Sequence, residues 1–327
     1  MRICLLTTQD LDAVPFAEDD WPCDPRPFHP DATWHVEILE RPTSVEQVTA
    51  RVEDGFDLYF NLCDGAEDED DSPGIEVVKT LEKLNVPFTG ATSEFYEPTR
   101  EAMKRACRAQ EIDTPAYRFA SNDAQIERAA KALQFPLFVK HHSSYASVAL
   151  SRVSRVRTPA GLRRQARKII SQFGKALIEE YIDGSECTVL VAENPDDPQQ
   201  PKTYKPMQYR FPPGESFKHA DMKWVDYDEL SSFPVEDPEL DARLRDVSAR
   251  FFVALRGASF GRCDIRVDKS GTPFMLEINA NCGVYYPPSD AGSADLCLAQ
   301  DPAGHEGFTR QLVAAAFARK GDRFIFR

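Results

Sequence analysis

Two short strands joined by a tight turn, at residues 261–267 and 273–279, constrain the fold of this chain more than any other feature. The turn reads Asp-Lys-Ser-Gly, which contains the residue types that tight turns favour. Side chains alternate between the faces of a strand, so one face is predicted to be apolar and to pack on a core. That face would hold Cys263, Ile265, Val267, Phe274, Leu276 and Ile278. The opposite face would hold Met275 together with Arg262, Asp264, Arg266, Glu277 and Asn279.

The polar face of this hairpin has two interpretations. The carboxylate and amide oxygens of Asp264, Glu277 and Asn279 suit a hard cation such as Mg²⁺, which proteins usually bind through few carboxylates and the phosphates of a substrate. A solvated strand face with two ion pairs is the alternative. Spacing alone leaves both interpretations open.

The remainder of the chain predicts an α/β protein with more than one subdomain. Its 327 residues exceed the roughly 250–300 over which a single core can grow. In residues 1–90, strands at 2–6, 34–39 and 58–63 alternate with helices at 44–52 and 74–84, which is typical of a small parallel sheet covered by helices.

Residues 116–192 are predicted to form a second unit. Its strands are expected at 116–120, 137–141, 147–153, 176–182 and 187–192, and its helices at 123–133 and 160–173. Two polar stretches, 193–203 and 211–234, are predicted to be irregular, and loops as long as the second one usually serve binding. Helices at 237–256 and 305–319 flank the hairpin.

The charge of the chain is distributed unevenly. Residues 1–100 hold 23 acidic and 7 basic side chains, whereas residues 101–327 hold 30 acidic and 32 basic ones, so the net charge of −14 belongs to the first third. An acidic chain is a poor candidate for binding nucleic acid. No apolar run approaches the roughly 18–20 residues that span a bilayer, and the eight cysteines lack zinc-site spacing. We therefore expect a cytoplasmic protein that binds neither nucleic acid nor membrane.

The stretch Phe-Met-Leu-Glu-Ile-Asn-Ala-Asn-Cys-Gly at 274–283, preceded by Arg262-Cys263-Asp264, resembles the metal-binding strand pair of the ATP-grasp ligases. The resemblance is greatest to the D-alanine–D-alanine ligase branch, whose pattern is Arg-x-Asp, then Glu-x-Asn, then Gly. It implies that Asp264, Glu277 and Asn279 hold two Mg²⁺ ions on the phosphates of ATP. It also implies that Arg262 and the backbone N–H of Gly283 stabilise the oxyanion of a tetrahedral intermediate.

Other segments resemble the same family in the same order along the chain. They include a lysine strand at 138–140, a phosphate loop in which Ser147 keeps a hydroxyl, an adenine hinge at 177–186 with Glu186 on the ribose, and a loop lysine six residues after Phe217. The residues that the resemblance assigns to the nucleotide are Arg100, Lys140, Glu179, Glu180, Tyr181, Ile182, Glu186, Lys223 and Leu276.

The resemblance covers nearly the whole chain and implies an ATP-grasp fold of three subdomains. A small parallel α/β subdomain is expected at 1–98, a central ATP-grasp subdomain at 99–182, and a catalytic subdomain with the metal-binding strand pair at 183–327. The expected reaction joins a carboxylate to an amine through an acyl phosphate and releases ADP and phosphate.

Departures from the family pattern concern the phosphate loop, a catalytic residue and the substrates. The phosphate loop at 145–149 has no glycine, Trp224 replaces a tyrosine, and Pro288 is expected where the family has a serine that binds the second D-alanine. We therefore predict a ligase whose substrate pair differs from that of a true D-alanine–D-alanine ligase. A small-molecule kinase on the same scaffold and a non-catalytic ATP-binding module are the alternatives.

Two charged stretches bear on partners. The run Glu-Asp-Glu-Asp-Asp at 67–71 is either a solvated loop or a field that favours a cationic substrate. Residues 152–175 carry eight basic side chains and no acidic one. They form either a solvated surface or a docking surface for an acidic partner, such as the second subunit of a homodimer.

Overall fold

The computed structural model of the chain describes residues 1–13, 22–66, 71–143, 150–217 and 230–322. The first of its three sheets is parallel, in the order β2-β1-β3, as predicted. Its strands are β1 (Arg2–Thr7), β2 (Thr33–Ile38) and β3 (Leu58–Asn61). The helices α1 (Ser44–Glu53) and α2 (Ile75–Lys83) connect and follow them.

The second sheet has four strands in the order β4-β7-β5-β6, all antiparallel. Helix α3 (Arg100–Ala109) leads into β4 (Tyr117–Ala120), α4 (Asp123–Ala132), β5 (Leu137–His141), β6 (Arg155–Val156), α5 (Pro159–Phe173) and β7 (Ala176–Glu180). Helix α3 begins where Thr99 accepts a hydrogen bond from the N–H of Ala102. Helix α5 ends at Gly174, whose φ of 75° favours glycine.

The strand predicted at 147–153 is wrong where the structure describes it. Residues 152–154 form a 3₁₀ turn, and only the two residues of β6 pair with β5. Ser154 explains the turn, because its N–H bonds to the carbonyl of Ser151 while its hydroxyl accepts from the N–H of Ser151. Such local serine bonds compete with a strand ladder.

The third sheet has six strands, with the path β11-β10-β8-β12-β13 and β9 paired to β8. The elements are β8 (Gly184–Ala192), β9 (Lys202–Thr203), β10 (Met207–Arg210), β11 (Ser231–Pro234), α6 (Pro238–Ala254), β12 (Phe260–Asp268), β13 (Pro273–Ala280), α7 (Ser293–Leu298) and α8 (Gly304–Asp322). The stretches predicted to be irregular thus contain two short strands, β9 and β11. Both complete the sheet by antiparallel pairing, β9 with β8 and β11 with β10.

The predicted hairpin is present as β12 and β13, with one irregularity. Asp264 lies opposite Glu277, but Ile265 lies opposite Met275, so Leu276 is an extra residue that forms a bulge. Because of this extra residue, the residues of β13 before Leu276 point to the opposite faces from those that strict alternation predicts. Met275 is therefore fully buried, whereas Phe274 and Leu276 are only half-buried, and their predicted place on the core face is wrong.

Two of the three hydrophobic cores are shared between the first and third sheets. One core joins Cys4 and Leu6 to residues such as Val189 and Ile265, and the other joins Ile3 to residues such as Phe308. The third core lies entirely within residues 120–178 and belongs to the second sheet alone. Among the described residues, no helix has both the length and the apolar character needed to cross a bilayer.

Candidate active site

Two cross-strand pairs on β12 and β13 form the floor of the candidate site. Asp264 lies opposite Glu277, and Arg262 lies opposite Asn279, as the alternation of the sequence predicts. Like charges directly opposite each other on a sheet are unfavourable, so the two carboxylates favour a cation near them. Both side chains are largely shielded from solvent, with 16% and 21% of their surface exposed.

An arginine accompanies each of these carboxylates. Arg262 places Nε and Nη2 3.3 Å from the two oxygens of Asp264, which also accepts from the hydroxyl of Thr188 at 3.0 Å. Arg100, the first residue of α3, forms an ion pair with Glu277. Burial alone would raise the pKa of Glu277, but the nearby Arg100 and Lys140 lower it, so the group is a carboxylate at neutral pH.

Two lysines share one buried glutamate beside this floor. Lys140 on β5 places Nζ 2.7 Å from Oε2 of Glu179 on β7, and Lys104 on α3 forms an ion pair with the other oxygen. All three side chains are at most 7% exposed. Burial would raise the pKa of Glu179, but the two ammonium groups outweigh it and lower that pKa to about 2. The cluster holds two positive charges against one negative, which suits a polyanion.

Lys104 also ties α3 to the floor. Its Nζ donates to the hydroxyl of Thr114 at 2.6 Å, and this hydroxyl donates to the carbonyl of Met275 at 2.8 Å. Met275 is two residues before Glu277 on β13. The chain of contacts therefore connects the lysine pair to the strand that carries the second carboxylate.

Except for Leu276 on β13 and for Lys223, the other residues predicted to contact the nucleotide lie in residues 180–186, from the end of β7 to the start of β8, which we call the β7–β8 connection. The side chain of Glu180 turns away from the floor, because its Oε1 accepts from the N–H of Gln134 at 2.8 Å. Tyr181, Ile182 and Glu186 all contact one buried side chain, Arg266 of β12. Leu276, the residue of the bulge, is half-buried.

Gly283 lies in the loop after β13, against Tyr286. A Cβ at position 283 would lie 2.2 Å from the hydroxyl of Tyr286, so only glycine fits without movement. Two residues earlier, Asn281 has a left-handed backbone with φ of 53° and accepts a hydrogen bond from the N–H of Ala91 at 2.7 Å. The loop is thereby held close to the chain that follows the first sheet.

Apart from Gly283 and Leu276, the predicted site residues on described segments thus lie in or beside three groups. The groups are the floor, the lysine pair and the β7–β8 connection. Ser147 and Lys223 lie outside the described residues, as do four of the five residues of the acidic run at 67–71. Sequence reasoning missed Lys104 and Arg266. The first follows Arg100 by four positions, which is one turn of a helix, and the second continues the alternation of Arg262 and Asp264.

The donor set of the floor fits Mg²⁺. Among the described residues, no group of three or more histidine, cysteine, aspartate or glutamate side chains is arranged to hold a metal ion. Two carboxylates and one amide are a smaller set, made only of oxygen donors. Mg²⁺ is usually bound by such a set together with phosphate oxygens and water.

Comparisons with known proteins identify the family to which the chain is similar. Residues 112–286, more than half of the chain, match the family described as D-ala D-ala ligase C-terminus. The D-alanine–D-alanine ligase of Laribacter hongkongensis is 26% identical over 234 residues, which are 71% of each chain. That of Cupriavidus necator is 26% identical over 267 residues, which cover 80% of this chain and 76% of the relative.

Solved structures of such ligases share the fold. A D-alanine–D-alanine ligase from Bacillus anthracis superposes with a TM-score of 0.70 at 17% identity and covers 99% of both chains. The VanG D-Ala:D-Ser ligase from Enterococcus faecalis superposes with a TM-score of 0.68 at 14% identity, over 96% of this chain and 99% of that one. The predicted ATP-grasp fold of mixed α/β class is confirmed.

Proposed function

The chain belongs to the D-alanine–D-alanine ligase family, and on this premise we propose that it joins a carboxylate to an amine through an acyl phosphate. It is accordingly an ATP-dependent ligase. The observation that carries the proposed reaction is the pairing of Asp264 with Glu277 and of Arg262 with Asn279 on neighbouring strands. This face offers oxygen ligands and a guanidinium within one small, shielded surface.

In the first step, a carboxylate oxygen of the substrate attacks the γ-phosphoryl group of ATP, and ADP leaves. Arg100 and Lys140 are proposed to bind the phosphates, since Arg100 pairs with Glu277 of the floor and both cationic groups lie near enough to lower the pKa of Glu277. Mg²⁺ held by Asp264, Glu277 and Asn279, as one ion or two, would neutralise phosphate charge when it is bound. The other residues that the resemblance assigns to the nucleotide, including Lys223 and Leu276, are proposed to bind it as well. Ser147 is proposed to act near the phosphates.

In the second step, an amine attacks the acyl phosphate and phosphate leaves, so that an amide bond forms. The oxyanion of the tetrahedral intermediate would accept hydrogen bonds from Arg262 and from the N–H of Gly283. One such donor is worth roughly 2.7–4 kcal/mol in known enzymes. Asp264 orients Arg262 for this task, since it binds the guanidinium through two of its nitrogens.

The substrates are proposed to differ from two D-alanines. This proposal rests on the sequence, in which Pro288 is expected in place of the serine that the resemblance assigns to the second D-alanine, and Trp224 replaces a tyrosine that the resemblance assigns to catalysis. A cationic substrate, such as a basic amino acid or a diamine, is proposed because residues 1–100 hold 23 acidic and 7 basic side chains. Turnover of a cationic substrate should fall as salt rises, and equal use of acidic and basic substrates would contradict this.

The test of the reaction is a pairwise screen. The protein is supplied with ATP, Mg²⁺ and each pair of amino acids, small acids and amines, and release of ADP and phosphate is followed with mass detection of products. An amide product that requires both substrates supports the proposal. A phosphorylated product formed without an amine would replace the ligase by a kinase, and no release above background for any pair would contradict both.

The cellular location, the assembly and the subdomain bounds are also proposed from the sequence and the resemblance. We place the enzyme in the cytoplasm as a homodimer, with subdomains at 1–98, 99–182 and 183–327. Light scattering on the purified protein tests the assembly. A monomer at micromolar concentration would contradict it.

A further inference from the structure

Arg266 uses all of its N–H groups inside the protein. Nε donates to the carbonyl of Ile182 at 3.2 Å, and Nη2 donates to the carbonyls of Ile182 and Gly184 and to the hydroxyl of Tyr181, each at 3.0 Å. Nη1 donates to the carbonyl of Ser216 at 2.7 Å and lies 3.3 Å from the carboxylate of Glu186. The residue is only 4% exposed.

The partners of Arg266 belong to different parts of the fold. Tyr181, Ile182 and Gly184 form the connection from the second sheet to the third, Ser216 lies beyond β10, and Arg266 itself is on β12. The hydroxyl of Tyr181 donates to the same carbonyl of Ser216 at 3.0 Å. One guanidinium therefore joins the β7–β8 connection, the 216 region and the floor of the site.

A second arginine reinforces this junction from the second sheet. The guanidinium of Arg155, on β6, lies 3.9 Å from the ring centroid of Tyr181 and donates to the hydroxyl of Ser216 at 3.2 Å. We call Arg155, Tyr181, Ser216 and Arg266 the clasp. Arg155 lies on the second sheet and Arg266 on the third, and the other two members lie in the segments between strands.

The clasp favours one orientation of the two sheets. If the β7–β8 connection moved away from β12, Arg266 would lose several bonds at once and leave a buried charge without partners, which is strongly unfavourable. A lysine could not replace it, because an ammonium group has three donors at one point instead of five in a planar fork.

We propose that Arg266 is a positioning residue for the nucleotide. It fixes Tyr181, Ile182 and Glu186 in the places from which they bind adenine and ribose, and it does so without touching the phosphates. This inference rests on the proposed function, because it presumes that the nucleotide lies between the two sheets. Part of the affinity for nucleotide thus depends on hydrogen bonds within the protein that hold the binding residues in place.

The chain offers a matched control for this residue. Lys269 forms an ion pair with Asp183 at 2.7 Å and so joins the β12–β13 turn to the same β7–β8 connection. Both members of the pair are exposed, Lys269 at 80% and Asp183 at 58%. An exposed pair contributes little, so its loss should not alter the orientation of the sheets.

The experiment measures the dissociation constant of ADP with Mg²⁺ by calorimetry for the wild type, Arg266→Met, Arg266→Lys and Lys269→Met. We expect binding at least 10-fold weaker for Arg266→Met, intermediate for Arg266→Lys and within 2-fold of wild type for Lys269→Met. Hydrogen exchange should be faster at residues 181–186 in Arg266→Met and unchanged in the core of the second sheet. A global loss of structure would instead speed exchange in both places.

The outcomes separate the two proposals. If the wild type bound no adenine nucleotide, the proposed function would fail and this inference with it. If the wild type bound ADP and Arg266→Met bound it equally well or more tightly, only the inference would be overturned. If Arg266→Met did not fold, Tyr181→Phe would decide, since it removes one hydroxyl of the clasp and should weaken ADP binding about 3-fold, and unchanged binding would overturn the inference.

Discussion

Arg100 and Glu277 form an ion pair across 177 positions of the chain, and it joins the first residue of α3 to β13. Substitution Glu277→Gln keeps the size of the side chain but removes a proposed metal ligand. We expect turnover to fall by roughly 100-fold or more, as for other losses of a group that stabilises transition-state charge, while ADP binding at high Mg²⁺ changes little. Steady-state release of ADP, measured on the substrate pair found by the screen, provides the test.

The exposed Glu306 supplies a control for that substitution, because Glu306→Gln removes the same charge far from the floor. Its activity should equal that of the wild type. Persistent turnover in Glu277→Gln would show that the metal assignment is wrong.

The lysine pair makes a prediction about stability. Glu179→Ala would leave Lys104 and Lys140 buried without their shared counter-charge, and breaking a buried pair in this way costs about 3–5 kcal/mol. Lys104→Met leaves Glu179 paired with Lys140, so the loss should be smaller. Urea unfolding measures both free energies, and an equal or reversed order would contradict the proposed sharing of charge.

The stability should also depend on pH through Glu179. Its pKa is about 2 in the folded protein against 4.5 as an ordinary value. A lowered carboxylate pKa stabilises the fold at pH values above the ordinary one, and this contribution disappears as the pH falls from 4.5 through 2. The free energies of unfolding of the wild type and Glu179→Gln should therefore converge over that interval, and a constant difference would refute the assignment.

The loop after β13 makes a prediction that depends on one close approach. Gly283→Ala places a methyl group against the hydroxyl and two ring carbons of Tyr286, the nearest 2.2 Å away. We expect at least a 10-fold loss of turnover, because the proposed oxyanion donor must move with the backbone.

A second substitution distinguishes this clash from other effects. The double variant Gly283→Ala with Tyr286→Ala should be more stable to thermal unfolding than Gly283→Ala alone. Combination with Tyr286→Phe should recover little, since ring carbons lie only 2.8 Å from the added methyl group. Equal stability of the two double variants would exclude the clash as the cause.

Much of this site follows from local pattern. Alternation along a strand predicts that Arg262, Asp264, Glu277 and Asn279 share a face, and the register of β12 with β13 agrees. Alternation could not predict the bulge at Leu276, because an extra residue in one strand leaves no mark in the periodicity. Alternation therefore assigns Phe274 to the core face, whereas in the structure Met275 is buried and Phe274 is only half-buried.

The remaining differences come from tertiary contacts. Nothing in the order of residues indicates that Lys104 and Lys140 meet at Glu179, since α3, β5 and β7 are brought together only by packing. The short strands β9 and β11 form only because they pair with β8 and β10, and such pairing overrides weak local preference. Arg266 has the spacing of the floor residues, but its partners lie in the β7–β8 connection and at Ser216, beyond β10.

Because the first and third sheets share two cores, recombination can exchange some segments of the chain more easily than others. A recombination event that exchanged residues 1–98 for those of a relative would replace part of each shared core and leave the rest without matching shapes. The second sheet, whose core is its own, could be exchanged at less risk. New substrate preferences in this lineage are thus expected to arise by point substitutions within the acidic N-terminal segment. Exchange of that whole segment is the less favoured route.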